Sequence, residues 1–337
     1  MRQNNFDFLR FLAASTVIFS HAFPLATGSA YSEILSGVTD GRMNFGALAV
    51  LVFFATSGYL VTGSLERHSS VLLFLQARAL RIFPALAAVV TFTVFVLGPW
   101  LTTDPGYWTN PETYAYLGNI TLHDLQPGLP GVLEDVPFKS NINGPLWTLP
   151  SELICYLILA LIGWLKLARG RVYVLLTLVL LTQLLTMGYS RTTFPVLWAA
   201  TFASGAVLYA YRDRVPWTGT YALLAALLTG ASLLTPWFEV VAPALIAYAA
   251  VTFGRGQRFA AFGRHGDVSY GLYLWGWPVA QVLMHFFPTL TGWTLGALGY
   301  VVALAIAWAS WTLIERPFLR LKHQLLFTRP APAVAAD

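Results

Sequence analysis

The stretch "NNFDFLRFLAASTVIFSHAFPL", residues 4–25, is an apolar run of membrane length that carries Arg10 and His21. A bilayer crossing takes about 20 mostly apolar residues, and this run supplies them. At 100° per residue, the eleven steps from Arg10 to His21 overshoot three turns by about 20°, so both lie on one helix face, roughly 16 Å apart along the axis. Arg10 then stands near one membrane surface, where a snorkelling anchor is the plain reading. His21 falls inside the hydrocarbon, where an ionisable group marks function by default. The run is not expected to be a cleaved signal peptide, because His21 sits in it and no small-residue cleavage site follows.

The rest of the chain repeats the pattern. Of 337 residues, 57% are hydrophobic and 10% are charged, against roughly 25% charged in an ordinary soluble protein. Twelve Trp and fifteen Tyr suit the aromatic belts at a membrane interface. The expected fold class is all-α, a polytopic membrane bundle of about ten transmembrane helices, near 7–27, 44–65, 82–101, 145–165, 172–189, 194–211, 218–235, 238–253, 268–287 and 293–314. With the N-terminus inside, seventeen of the twenty Lys and Arg fall in inner segments, leaving Arg42, Lys139 and Arg191 outside. This bias places both termini in the cytoplasm of an inner or plasma membrane. The net charge of +5 therefore reflects topology, and no nucleic-acid partner is expected. Residues 1–325 read as one domain whose long, acidic outer loop, 102–143, caps the bundle, and 326–337 as a disordered tail. The single cysteine, Cys155, reads as a small buried hydrophobe and excludes an internal disulfide and a cysteine metal site. No metal site is expected.

A second ionisable group in a span is Glu152, within "NINGPLWTLPSELICYLILALIG". Counting down from the outer surface puts it about 10 Å deep, level with His21. Pro150 is expected to kink the helix beside it. A carboxylate orienting a histidine is the usual arrangement of a general base, so His21 and Glu152 are the catalytic candidates. On the inner side, "QARALRIFPAL" puts Arg78 and Arg81 on one helix face. With Arg10 they could form a phosphate pocket, since the guanidinium fork matches phosphate oxygens. Ser57 and Gly58 lie within a span, where small residues usually permit close helix packing; a catalytic Ser57 is the less favoured reading. There is no P-loop, no HExxH helix and no GxSxG elbow.

Six stretches, "FDFLRFLAASTVIFSH", "FFATSGYL", "RALRIFPAL", "NGPLWTLPSE", "SYGLYLWGWPV" and "ERPFL", occur in the order seen in the acyltransferase 3 family of membrane acyltransferases, which the chain resembles from about residue 4 to 322. The resemblance implies a ten-helix domain that moves an acyl group, often acetyl, from cytoplasmic acyl-CoA to a hydroxyl of a glycan or other surface molecule. It puts the family's functional residues on Arg10, His21, Arg78, Arg81 and Glu152, and makes Ser57, Asn143 and Trp147 candidates for lining the site. The chain departs from many members at Phe8 and Phe11, where small residues are usual, and at Gly276, where a histidine is. The hydrolase-like extra domain of some relatives is not expected here, and transfer is then expected to be either direct or through a separate extracytoplasmic transferase. The expected co-substrate is acyl-CoA, with acetyl-CoA as donor, no bound cofactor, and the lipid bilayer as surroundings. A secondary transporter and a non-catalytic component of a glycan export complex are the rival readings.

Overall fold

The computed structural model describes residues 4–68, 70–139 and 141–321. Ten longer helices organise them: α1 (Phe6–Thr27), α2 (Phe45–Arg67), α3 (Val71–Leu101), α4 (Leu149–Trp164), α5 (Gly170–Thr186), α6 (Thr193–Ala210), α7 (Gly219–Ser232), α8 (Phe238–Arg255), α9 (Ser269–Phe286) and α10 (Gly292–Leu321). No β-strand occurs among the described residues. The chain is an all-α membrane bundle in which α1, α2, α3, the α4 region, α6, α8 and α10 are long and apolar enough to cross a membrane. The apolar helices α5 and α7, of 17 and 14 residues, are shorter, and α9 carries Gln281 and several Trp and Tyr in its 18 residues. The tail at 326–337 lies outside the described residues.

Small residues decide how closely the helices approach. A Cβ on Gly58 of α2 would lie 2.0 Å from the Phe202 carbonyl oxygen of α6, and one on Gly205 of α6 would lie 2.2 Å from that of Ala55. Gly276 likewise admits Ile18, whose Cγ1 would be 2.6 Å from an added Cβ. A histidine there would push α9 off α1. Phe8 and Phe11 are used as packing: Phe8 stacks on Phe259 with centroids 4.3 Å apart, and Phe11 lies 4.9 Å from Phe262.

Two π-turns interrupt the long helices, Thr93–Leu97 in α3 and Trp311–Glu315 in α10. The first precedes Pro99, which has no N–H to give, and the Tyr107 hydroxyl donates to the Val94 carbonyl instead, at 2.7 Å. Helix α3 begins eleven residues before the expected span, so Arg78 and Arg81 lie within it. Pro150 is also not where a kink would form. It occupies the first turn of α4, where the missing N–H has no intrahelical partner to lose.

Residues 102–143 gather where α1, α3 and α9 end. The Pro137 carbonyl packs against Gly28, the positive-φ cap of α1, and Asp135 pairs with His285 of α9 at 2.8 Å. This end is the loop face. The opposite end, where Arg10, Arg78 and Arg81 stand, is the arginine face.

Candidate active site

Arg10 on α1 and Arg81 on α3 converge on one carboxylate, Asp267, whose Oδ2 lies 3.2 Å from Arg10 and 2.5 Å from Arg81. Asp267 is aimed inward by Gly266, whose φ of 116° and ψ of 167° suit only glycine and whose missing Cβ leaves room for the Trp311 indole. Its Oδ1 accepts from the Ser269 backbone at the start of α9. Burial alone would push the Asp267 carboxyl up, but Arg81 and Arg10 outweigh it and hold the group at about 2. Glu315, 2% exposed, reaches Arg81 from the π-turn of α10 at 3.4 Å.

Arg78 is different. It shares a face with Arg81, yet forms no ion pair among the described residues. Its guanidinium lies 5.9 Å from the centroid of the Tyr156 ring, and its Nε is buried without a hydrogen-bond partner. These residues, with Ser57, Arg67, His68 and Glu152, line a cavity of ≈330 Å³ at the arginine face.

The structure places Glu152 in this cavity and not beside His21. Its hydrogen bonds among the described residues come from Ser57 Oγ, at 3.2 Å, and from the Tyr156 hydroxyl. The expected level with His21 fails because the chain does not enter α4 at the membrane surface. Residues 141–148 first descend along α9. The Asn141 carbonyl accepts from Trp277 and Gln281. Asn143 Nδ2 donates to the Leu274 carbonyl at 3.0 Å, and Thr148 bonds Tyr273 at 2.7 Å. Glu152 and Tyr270 then line the same cavity. The Leu274 carbonyl is available because its helical partner would be the N–H that Pro278 lacks.

His21 meets α9 higher up. Its ring is edge-on to Trp277, with centroids 5.0 Å apart, seven residues or roughly 10 Å beyond Tyr270 along α9. No described residue gives either ring nitrogen a hydrogen bond. A narrow extension of the arginine cavity shares Arg10, Glu152 and Tyr270 with it and continues past Phe53, Thr148 and Tyr273. Asn143 is 6% exposed and its Oδ1 is unpartnered. Trp147 points away, half-exposed, with its ring 4.6 Å from that of Trp198.

Asp267, Glu315 and Tyr156 were not among the residues singled out from the sequence. Glu315 was findable as an ionisable group in an apolar run, and Asp267 as an acid among the arginines of a basic surface. Tyr156 carried no signal.

A family model described as an acyltransferase domain matches residues 3–312. An "O-acetyl transferase" of Shigella phage Sf6 is 27% identical over 356 residues, covering 100% of this chain and 99% of that protein. "Nodulation protein 10" of Rhizobium leguminosarum bv. viciae is 29% identical over 367 residues, covering 97% and 96%. No solved structure matches the chain.

Proposed function

The chain belongs to the acyltransferase 3 family, and from this premise we propose that it carries an acetyl group from acetyl-CoA, bound at the arginine face, to a hydroxyl of a surface or exported glycan. The observation that carries the donor assignment is Arg78, a cation in a cavity where its two neighbouring arginines are already matched by carboxylates. A phosphate of the donor fits this guanidinium, which makes no ion pair among the described residues although Glu152 lines the same cavity. The name of the phage relative supports acetyl as the group moved.

Arg10 and His21 are roughly 16 Å apart along α1, and this is the distance a pantetheine arm has to span from phosphate to thioester. The narrow extension past Phe53 and Tyr273 lies along that path. His21, its ring held by Trp277, takes the proton of the acceptor hydroxyl. The oxygen attacks the thioester carbonyl, the C–S bond breaks, and the departing thiolate recovers the proton from His21. The products are an ester and CoA–SH. Glu152 does not orient His21 in this scheme. It fixes Ser57 and Tyr156 at the throat of the cavity and faces Arg78. Direct transfer to the glycan and delivery to a separate extracytoplasmic transferase use the same steps up to the acceptor.

The test is acyl transfer by the purified protein in lipid, with radiolabelled acetyl-CoA and crude surface glycan. Replacing His21 by Ala is expected to lower kcat by about 10²- to 10⁴-fold, the usual range for a lost general base, in a protein of unchanged thermal stability. Equal labelling by wild type and His21→Ala would remove His21 from the chemistry.

A further inference from the structure

Beside the arginine cavity lies a second one, of ≈340 Å³, lined by Asn4, Phe6, Tyr59, Arg67, Tyr209 and Arg255. Leu60 and Arg67 line both, so a ligand can pass from one to the other over that rim. Aromatic surface forms its inner wall. Phe6 and Tyr59 stack with centroids 5.7 Å apart and planes 23° from parallel, and Tyr209 stands edge-on to Tyr59 at 5.3 Å. The rings are built in. Gly254 leaves the room that Phe6 fills, and Gly63 leaves the room for Tyr209, the nearest ring carbon lying 2.3 and 2.4 Å from where a Cβ would be.

Cations stand at its mouth. The Arg255 guanidinium donates to the Tyr59 hydroxyl at 2.5 Å and lies 4.5 Å from the Trp217 ring centroid. Neither Arg255 nor Arg67 forms an ion pair among the described residues. An aromatic wall beside guanidinium groups that have no carboxylate partner recognises a heterocycle that carries phosphate. A volume near 300 Å³ is at the small end of ligand pockets, enough for part of a large ligand rather than for all of it.

Resting on the acyl-CoA reading above, we infer that the nucleotide end of the donor docks in this second cavity. The base lies against the Tyr59 and Tyr209 wall, and its phosphate meets Arg67 and Arg255. The phosphopantetheine arm crosses the Leu60–Arg67 rim and enters the first cavity at Arg78. The two arginines of the mouth thus select CoA over shorter thioesters, which use the first cavity alone.

Equilibrium binding to the full chain in phosphatidylcholine nanodiscs tests this, with CoA and 4′-phosphopantetheine as probes. Wild type is expected to bind CoA at least ten-fold more tightly than phosphopantetheine. Arg255→Ala, which changes the second cavity alone, is expected to lose that advantage while its phosphopantetheine affinity stays put, and Arg255→Lys to retain part of it. Arg255 is exposed, and an unchanged phosphopantetheine titration verifies that its variants fold. Undiminished CoA binding by Arg255→Ala overturns the inference and leaves the acyl-CoA reading standing, all the more if native mass spectrometry finds an anionic phospholipid lost from the variant. CoA bound no better than phosphopantetheine by wild type overturns it as well. Binding of neither probe by wild type overturns both readings.

Discussion

Arg78 and Arg81 stand three residues apart on one helix face, yet their surroundings give them different work. Arg81 holds Asp267 and Glu315, so its removal leaves buried Glu315 without a counter-charge and Asp267 with Arg10 alone, a change that is strongly destabilising. Arg78 holds no carboxylate among the described residues and can be removed at little structural cost. Arg78→Ala is therefore expected to raise the KM for acetyl-CoA at least ten-fold with kcat nearly kept, and Arg78→Lys to recover only part of it because the fork is lost. Arg81→Ala is expected to lower the thermal midpoint before any kinetic effect can be read. Steady-state kinetics alongside thermal unfolding separates the two. Asp267 adds a pH dependence of defined sign. Its carboxyl, held at about 2 in the fold against roughly 3.9 in an unfolded chain, contributes stability that is whole above pH 4 and is lost as pH falls toward 2. Asp267→Asn is expected to lower stability at neutral pH and to flatten its decline over that acid window, which thermal melts at a series of pH values would measure.

Among the elements, the pairing of α9 with the segment that leads into α4 does the most to shape the site. Pro278 strips the Leu274 carbonyl of its helical donor, and Asn143 replaces it. Asn143→Ala then orphans a buried carbonyl, at a cost of about 1–3 kcal/mol. In a Pro278→Ala background the helix supplies its own N–H, and the same substitution is expected to cost less. The coupling in a double-mutant cycle, read by thermal unfolding, should exceed about 0.5 kcal/mol; strict additivity would mean that Asn143 does not serve this carbonyl. This contact also marks the boundary of what was legible in the sequence. The all-α membrane bundle, the shared face of Arg10 and His21, and the pair Arg78 and Arg81 follow from hydropathy and helix period, which are local. The depth of Glu152 does not, because it depends on 141–148 running down α9, a contact across more than a hundred residues. Pro150 misled for a related reason: whether a proline kinks or starts a helix depends on where that descent ends. Asp267 and Glu315 gain their roles from helices that meet only in the folded bundle.

For the molecule as a whole, the orientation of the bundle decides which pool of donor it can use. Both cavities described above open at the arginine face, and the 102–143 loop closes over the other. If the distribution of Lys and Arg sets the orientation, the arginine face is cytoplasmic, where CoA thioesters are made, and His21 lies toward the side on which glycans are displayed. The only native cysteine, Cys155, is buried, so a cysteine introduced at an exposed site reports its own side. Glu134→Cys in the loop is expected to react with a membrane-impermeant maleimide in intact cells, and Arg258→Cys, after α8, only once the membrane is opened. The reverse pattern would put the arginine cavity outside and remove cytoplasmic acetyl-CoA as its ligand. Labelling of both from outside would mean that an odd number of crossings does not separate 134 from 258. One of the short helices α5 and α7 would then lie on the membrane instead of through it, since at 1.5 Å per residue the 14 residues of α7 cover only about 21 Å of a core roughly 30 Å thick.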